Sequence, residues 1–227
     1  PRVMEPFRAG LSERFEAAEG GGLRYWGAPE LFSTAAPQFR PDGKVEYATR
    51  GGDDAAADLA EWDALHGRWD GVGEGRIRLA MSPHATDTCD PAMLRACLSR
   101  ARDLGAPFTI HLAQSPDEVA TIKARHGCTP AEYLDRSGVL VDRLLAAHCV
   151  ACSDEDLRLM AARGVVVMNC PRVFARDGVA ASFARFRRHG LRVCVASDGY
   201  SGDFVGELAA AAMISRIEAG DGGAATA

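Results

Sequence analysis

The chain is short of several things, and each shortage excludes a class of protein. No run of 18 apolar residues occurs in its 227 residues, so no transmembrane helix is expected. Basic residues are neither in excess nor clustered: 26 Lys and Arg stand against 31 Asp and Glu, a net charge of −5. That balance supplies no electrostatic footprint for nucleic acid. The N-terminal stretch "PRVMEPFRAG" lacks the apolar core of a signal peptide. Seven cysteines, an odd number in a chain this long, do not make a disulfide scaffold; they suit a reducing compartment, so the expected location is cytoplasmic. Internal repeats, low-complexity segments and a domain linker are also missing. The start at Pro1 and the end in "DGGAATA" lead us to expect a fragment.

What is present is ordinary globular composition, 47% hydrophobic and 25% charged, with strand and helix patterns alternating from about residue 74. "GRIRLAMSPH" reads as a strand. "DPAMLRACLSRARDLG" reads as a helix with Asp90 as N-cap, Pro91 in its first turn and Gly105 closing it, and Leu94, Cys97, Leu98, Ala101 and Leu104 form its apolar stripe. "FTIHLA", "RLLAAHC", "VVVMNC" and "LRVCVASDG" read as further strands, apolar throughout, as when both faces are buried. Between and after them come helices: 116–137 with a break near Pro130, "SDEDLRLMAARG" with Ser153 and Asp156 as a capping box, "VAASFARFRRHG", and "FVGELAAAAMISRIEAG". Upstream, "LSERFEAAEGG" and "DDAAADLAEWDALHGRW" are helical, "LRYWGA" is a strand, and 36–53 reads as a loop. Six strands alternating with helices predict a parallel α/β fold.

The strands end on residues that do chemistry. "RIRLAMSPH" ends at His84; "FTIHLAQ" carries His111 and Gln114; "RLLAAHC" ends at His148; "VVVMNC" ends with Asn169 and Cys170; "LRVCVASD" ends at Asp198. Alternation along a strand puts Thr109 and His111 on one face, and Ile110 and Leu112 on the other. The carboxyl ends of the strands in a parallel barrel converge on one rim, where active sites form. Three histidines and an aspartate there make a metal-site inventory suited to zinc or Fe(II). A metal at such a rim acidifies bound water enough to supply hydroxide near neutral pH. Any one of these residues alone is more often structural; four together are not easily coincidence.

The segments "SPHATDTCDPAML", "IHLAQSPDEV", "LLAAHCVACSDEDLRLMAARGVVVMNCPR" and "VASDGYSGDFVGEL" resemble the amidohydrolase superfamily, in its aminohydrolase/deaminase branch of cytosine, guanine and adenosine-analogue deaminases and triazine hydrolases. The resemblance covers roughly residues 75–210. It implies a (β/α)8 TIM-like barrel, here incomplete, with strands three to eight present, one partial catalytic domain over 1–227, and no flanking β-sandwich domain. It implies one divalent metal ion, zinc first and iron second, with His111, His148 and Asp198 as ligands. Asp198 also takes the proton from the attacking water, His148 contacts water or substrate, and His84 contacts substrate. The implied reaction is hydrolytic deamination of a small nitrogen heterocycle, and the implied partners are a small-molecule substrate and a second copy of the chain in a homo-oligomer.

Three departures stand out. No His-x-His pair, which the family carries on its first strand, occurs in this chain. Gln114 stands where many deaminases have glutamate, and an amide only hydrogen-bonds where an acid shuttles protons; proton delivery then falls to His148, Asp198 or Glu118, or the leaving group differs. "NCPRVF" replaces the family's small polar motif, and puts Arg172 where it meets an anionic substrate or lies on the surface. Asp203 and Glu207 follow Asp198 within reach of substrate, although helix-start electrostatics accounts for them equally. The alternatives are a cyclic-amide or other C–N hydrolase on the same scaffold, a non-catalytic homologue, and a thiol oxidoreductase built on the CxxC of Cys149 and Cys152.

Overall fold

A computed structural model of the protein describes residues 10–39, 45–50, 52–199 and 202–224. The chain divides into two compact units, Pro1–Thr109 and Ile110–Ala227.

In the first unit, helix α1 (Leu11–Gly20) leads into strands β1 (Tyr25–Gly27) and β2 (Glu30–Leu31), a hairpin of β3 (Ala35–Phe39) and β4 (Val45–Thr49), the long helix α2 (Gly52–Trp69), the four-residue turn α3 (Val72–Gly75), strands β5 (Ile77–Leu79) and β6 (Ser82–Pro83), and helix α4 (Pro91–Leu104). β1 pairs in parallel with β5, Tyr25 opposite Ile77, and β2 in parallel with β6, Glu30 opposite Ser82. The single strand expected over "GRIRLAMSPH" is thus two. The backbone changes partners between them: Ala80 N–H bonds to Gly27 O, Met81 N–H to Pro107 O and His84 N–H to Leu31 O. The stretch 36–53, expected as loop, contains most of the β3–β4 hairpin, antiparallel with Ala35 opposite Thr49, and the start of α2. Pro37 had argued for a loop, but a two-stranded ribbon is all edge and tolerates it.

Aromatic residues make the core of this unit. Phe15 is fully buried, stacked on Trp69 at 5.5 Å and edge-on to Tyr25 at 5.4 Å. A Cβ at Gly27 would run into the Phe15 ring, so that strand passes close only because it is glycine there. Trp62 is fully buried with its indole N–H donating to Ala80 O, as a buried tryptophan requires. Trp62 and Trp69, seven residues apart on α2 and so on one face of it, are both buried. On α4 the capping expectations hold: Asp90 accepts from Ala92 N and Met93 N at 2.8 and 2.9 Å, Pro91 opens the helix, and Gly105 closes it at φ 63°. Leu94, Cys97, Leu98 and Ala101 are buried, but Leu104, the last helical residue, is 42% exposed.

The second unit is built on a four-stranded sheet in the order β10-β9-β8-β7: β7 (Thr109–Leu112), β8 (Leu145–His148), β9 (Val166–Asn169) and β10 (Arg192–Val195). β8 and β10 each run parallel to β9, with Leu145 and Arg192 both opposite Val166. The helices are α5 (Pro116–His126), α6 (Pro130–Arg136), α7 (Asp154–Ala162), α8 (Pro171–Arg176), α9 (Phe183–Arg188) and α10 (Phe204–Ala219). The break expected near Pro130 is real. Gly127 ends α5 at φ 63°, and Thr129 with Glu132 forms a complete capping box for α6. Ser153 and Asp156 do the same for α7. The helix expected over "VAASFARFRRHG" is shorter, because Ser182 caps it by accepting from Arg185 N; a separate helix, α8, starts at Pro171. Ile110, Leu112, Leu144, Ala146, Val167, Leu157, Met160, Phe186 and Leu191 form the core between sheet and helices.

Candidate metal centre at the strand ends

The carboxyl ends of parallel strands collect exposed backbone dipoles and loop side chains, which is where open α/β sheets bind ligands. In the second unit three of the four sequence-predicted groups meet there. His111 is on β7, His148 ends β8, and Asp198 follows β10. The imidazoles of His111 and His148 lie nearly parallel, 5.2 Å between centroids and 7° between planes. His148 Nε2 faces Asp198 Oδ2 at 3.9 Å, beyond hydrogen-bond reach. Phe174 of α8 sits edge-on to the His148 ring at 5.0 Å. His148 is only 5% exposed, and its Nδ1 has no hydrogen-bond partner.

Backbone strain gathers at the same ends. Ala113, His148, Cys149 and Asp198 have φ of 45°, 74°, 57° and 53°, the left-handed region that costs residues with a Cβ about 1–2 kcal/mol each. Asp198 is held in that conformation by Gly199 N–H, which donates to Oδ1. The strain turns each strand end sharply, so the side chains face one another.

Electrostatics keeps His148 neutral. Burial pushes its imidazole down to about 4, the charge of His111 pushes the same way, and Asp198 opposes both. A neutral imidazole beside a carboxylate, with a ring nitrogen unsatisfied in a buried place, is a donor set that fits a divalent cation such as zinc.

Around this trio the other candidates take definite places. Gln114 is half-buried in the loop after β7; its backbone N–H donates to Glu118 Oε2 at 2.9 Å, while Ser115 caps α5 by accepting from Glu118 N. Glu118 therefore shapes the loop that carries Gln114. Arg172 Nη1 meets Asp203 Oδ2 at 3.3 Å and Nε lies 3.7 Å from Glu207 Oε1, so two predicted substrate contacts face each other. Glu207 is fully buried and accepts from Arg172 N. A Cβ at Gly206 would collide with the Asp203 carboxylate and the Arg172 guanidinium, so this cluster has no slack.

His84, in the first unit, is buried, stacked on Phe32 at 4.7 Å, with Nδ1 against Thr88 Oγ1 at 2.9 Å. The Glu30 carboxylate comes within 4.8 Å of it. The sequence offered no motif for Glu30, for Phe174 or for the burial of Glu207; only the position of Cys170 at a strand end was visible. The CxxC is packing: Cys149 and Cys152 are both buried, and burial drives the Cys149 thiol well above its usual value, leaving it protonated.

The model of the amidohydrolase family matches residues 5–226, nearly the whole chain. The chain belongs to the amidohydrolase family. Its relatives include a 5-methylthioadenosine/S-adenosylhomocysteine deaminase of Desulforudis audaxviator, 34% identical over 169 residues, which are 72% of this chain and 39% of that protein. A 5'-deoxyadenosine deaminase of Methanopyrus kandleri is 33% identical over 150 residues, 63% of this chain and 35% of its own. The chain thus spans well under half the length of these relatives. Among solved structures, an adenosine deaminase from Xanthomonas campestris with bound zinc matches with a TM-score of 0.77 at 23% identity, over 95% of this chain and 47% of that one. A guanine deaminase from C. acetobutylicum matches with a TM-score of 0.78 at 18% identity, over 92% and 49%. The parallel α/β fold expected from the strand and helix pattern, and the incomplete TIM-like barrel that the resemblance implied, agree with these TIM-barrel neighbours, of which the chain covers about half.

Proposed function

We propose that the chain carries the metal-binding and proton-handling part of a hydrolase that removes an amino group from a small nitrogen heterocycle, an adenosine-type nucleoside by analogy with the relatives named above. The observation that carries this reading is the convergence of His111, His148 and Asp198 at the ends of β7, β8 and β10 of one sheet, with His148 buried, neutral and incompletely bonded. The three would hold one divalent ion, zinc first and iron second, which when bound acidifies a water. Asp198, 39% exposed and so open to a water, accepts the proton from it. The water oxygen would add to the ring carbon bearing the amine while its proton passes through Asp198 to the neighbouring ring nitrogen; the hydroxyl proton would then move by the same carboxylate to the amine, the C–N bond breaking to release ammonia and leave the ring carbonyl. Stacked on His111 and met edge-on by Phe174, the imidazole of His148 is held in place to orient water and ring. Arg172, already paired with Asp203 and Glu207, holds α8 and α10 together at the rim, and Asp203, 58% exposed, stands within reach of a substrate hydroxyl. Among the described residues no helix is long and apolar enough to cross a membrane, and all seven cysteines are free thiols, which favours a reducing cytoplasm.

Elemental mass spectrometry of the purified chain, run with ammonia release from a panel of aminopurine nucleosides and cyclic amides, tests the reading. About one zinc or iron per chain, lost in His111→Ala, with ammonia from the aminopurines alone, supports it. A chain that takes up no divalent metal, or one that opens only cyclic amides, overturns it.

A further inference from the structure

Cys170 lies between β9 and α8, 3% exposed, at the same strand ends as His148 and Asp198. One ligand atom from each of the three, imidazole nitrogen, thiol sulfur and carboxylate oxygen, falls within 4.8 Å of the other two. Zinc bonds of about 2.0–2.3 Å arranged tetrahedrally put neighbouring ligand atoms about 3.3–3.7 Å apart. The His148–Asp198 separation of 3.9 Å is already close to that, and the others need shifts of about 1 Å. A buried cysteine by itself is usually packing. Here a second observation points to a ligand: the adjoining imidazole is more than nine-tenths buried, and its Nε2 looks across the cluster at a carboxylate oxygen 3.9 Å away, too far to hydrogen-bond. A buried histidine in that state is costly unless something else satisfies it. Cys170 Sγ, for its part, donates among the described residues in a weak 3.8 Å contact to Met168 O, and the backbone of Asp198 hydrogen-bonds to it.

We propose that Cys170 supplies a thiolate to the cation held by His148 and Asp198, making a sulfur–nitrogen–oxygen site. Binding exchanges the S–H proton for the metal: the thiol loses H⁺ to solvent and the S–M bond forms, with no change of oxidation state. A soft sulfur donor shifts the preference of the site toward thiophilic cations, zinc, cobalt(II) and cadmium, and away from magnesium and manganese. The burial that keeps Cys170 protonated in the absence of a cation also keeps it from oxidants. The inference rests on the metal-centre reading above and adds a ligand to it.

The test uses the full chain, stripped with chelator and titrated with cobalt(II). The expected spectrum has a thiolate-to-cobalt charge-transfer band in the near ultraviolet together with visible d–d bands of low-coordinate cobalt. In Cys170→Ser the charge-transfer band disappears while the d–d bands remain, and cobalt affinity falls by about tenfold or more. Cys194→Ser, which changes an exposed cysteine on β10, keeps the band. Circular dichroism establishes that each variant is folded; if Cys170→Ser is not, Cys170→Ala takes its place, and a wild-type spectrum without the band overturns the assignment whatever the variants do. Cobalt bound without a charge-transfer band, or a band that survives in Cys170→Ser, overturns the thiolate assignment and leaves the histidine–aspartate metal site standing. No cobalt bound at all overturns both.

Discussion

Replacing Arg172 with methionine separates a structural cation from a substrate-binding one. Glu207 is fully buried, in the first turn of α10, and its charge is answered by the Arg172 guanidinium at 3.7 Å and the Arg172 backbone N–H at 3.2 Å. Methionine keeps the aliphatic stem and the backbone donor but removes the charge. Unit charges 3.7 Å apart at an effective dielectric of about 20 attract by about 4 kcal/mol. Breaking buried pairs costs about 3–5 kcal/mol because the survivor is left uncompensated. Here the cost is reduced: Arg172 is 29% exposed, and Glu207 retains both the backbone donor and the favourable N-terminal end of α10. The expected loss is about 2–3 kcal/mol, or about 4–12 °C in Tm for a chain of this size. The contribution of Asp203, 58% exposed, is small. Thermal and urea unfolding of Arg172→Met, Glu207→Gln and the double variant give the coupling directly. Because Glu207→Gln removes the charge that is left stranded, the double variant should recover all but about 1 kcal/mol. Arg172→Met costing less than about 1 kcal/mol, or the double variant losing the sum of the single losses, would refute the structural assignment. A normal Tm with weakened binding of an anionic substrate would instead give Arg172 the recognition role.

Two further outcomes follow from burial. Asp58, 2% exposed, accepts from Phe32 N at 3.4 Å and Arg50 Nη2 at 2.8 Å, so Asp58→Ala strands a half-buried guanidinium and should cost about 3–5 kcal/mol in urea unfolding, with Asp58→Asn costing less; a loss under about 1 kcal/mol sinks this account. His148 titrates at about 4 when folded against 6.5 when free, so between these values the unfolded chain binds more protons and metal-free stability falls as pH drops from about 7 toward 4, by at most about 3 kcal/mol, and is flat above. The difference in unfolding free energy between wild type and His148→Asn, measured with chelator from pH 4 to 8, reports that slope, and its absence would show that His148 is not buried in solution.

The elements that could be read without a structure are those whose causes lie within a few residues. The cap of Asp90 on Ala92 and Met93, the stop at Gly127 and restart at Pro130, and the Ser153–Asp156 box are all local hydrogen bonds or dihedral preferences, and each forms where the pattern puts it. The apolar strands ending in His111, His148 and Asp198 are legible for the same reason, since alternation and run length are properties of neighbours in the chain. The hairpin from Ala35 to Thr49 and the division of the strand at Ala80 were not, because they depend on which distant backbone offers a carbonyl: Gly27 to Ala80, Pro107 to Met81. Nor was the pairing of Arg172 with Glu207, 35 residues away, which turned a candidate anion receptor into the partner of a buried carboxylate. The sheet order decided the site itself. Only when β8, β9 and β10 lie side by side do His148, Cys170 and Asp198 share one edge, and only the left-handed turns at His148 and Asp198 aim their side chains at each other. Local chemistry chose which residues stand at the strand ends; long-range pairing chose which of them meet, because proximity between strands is settled by packing and not by spacing along the chain.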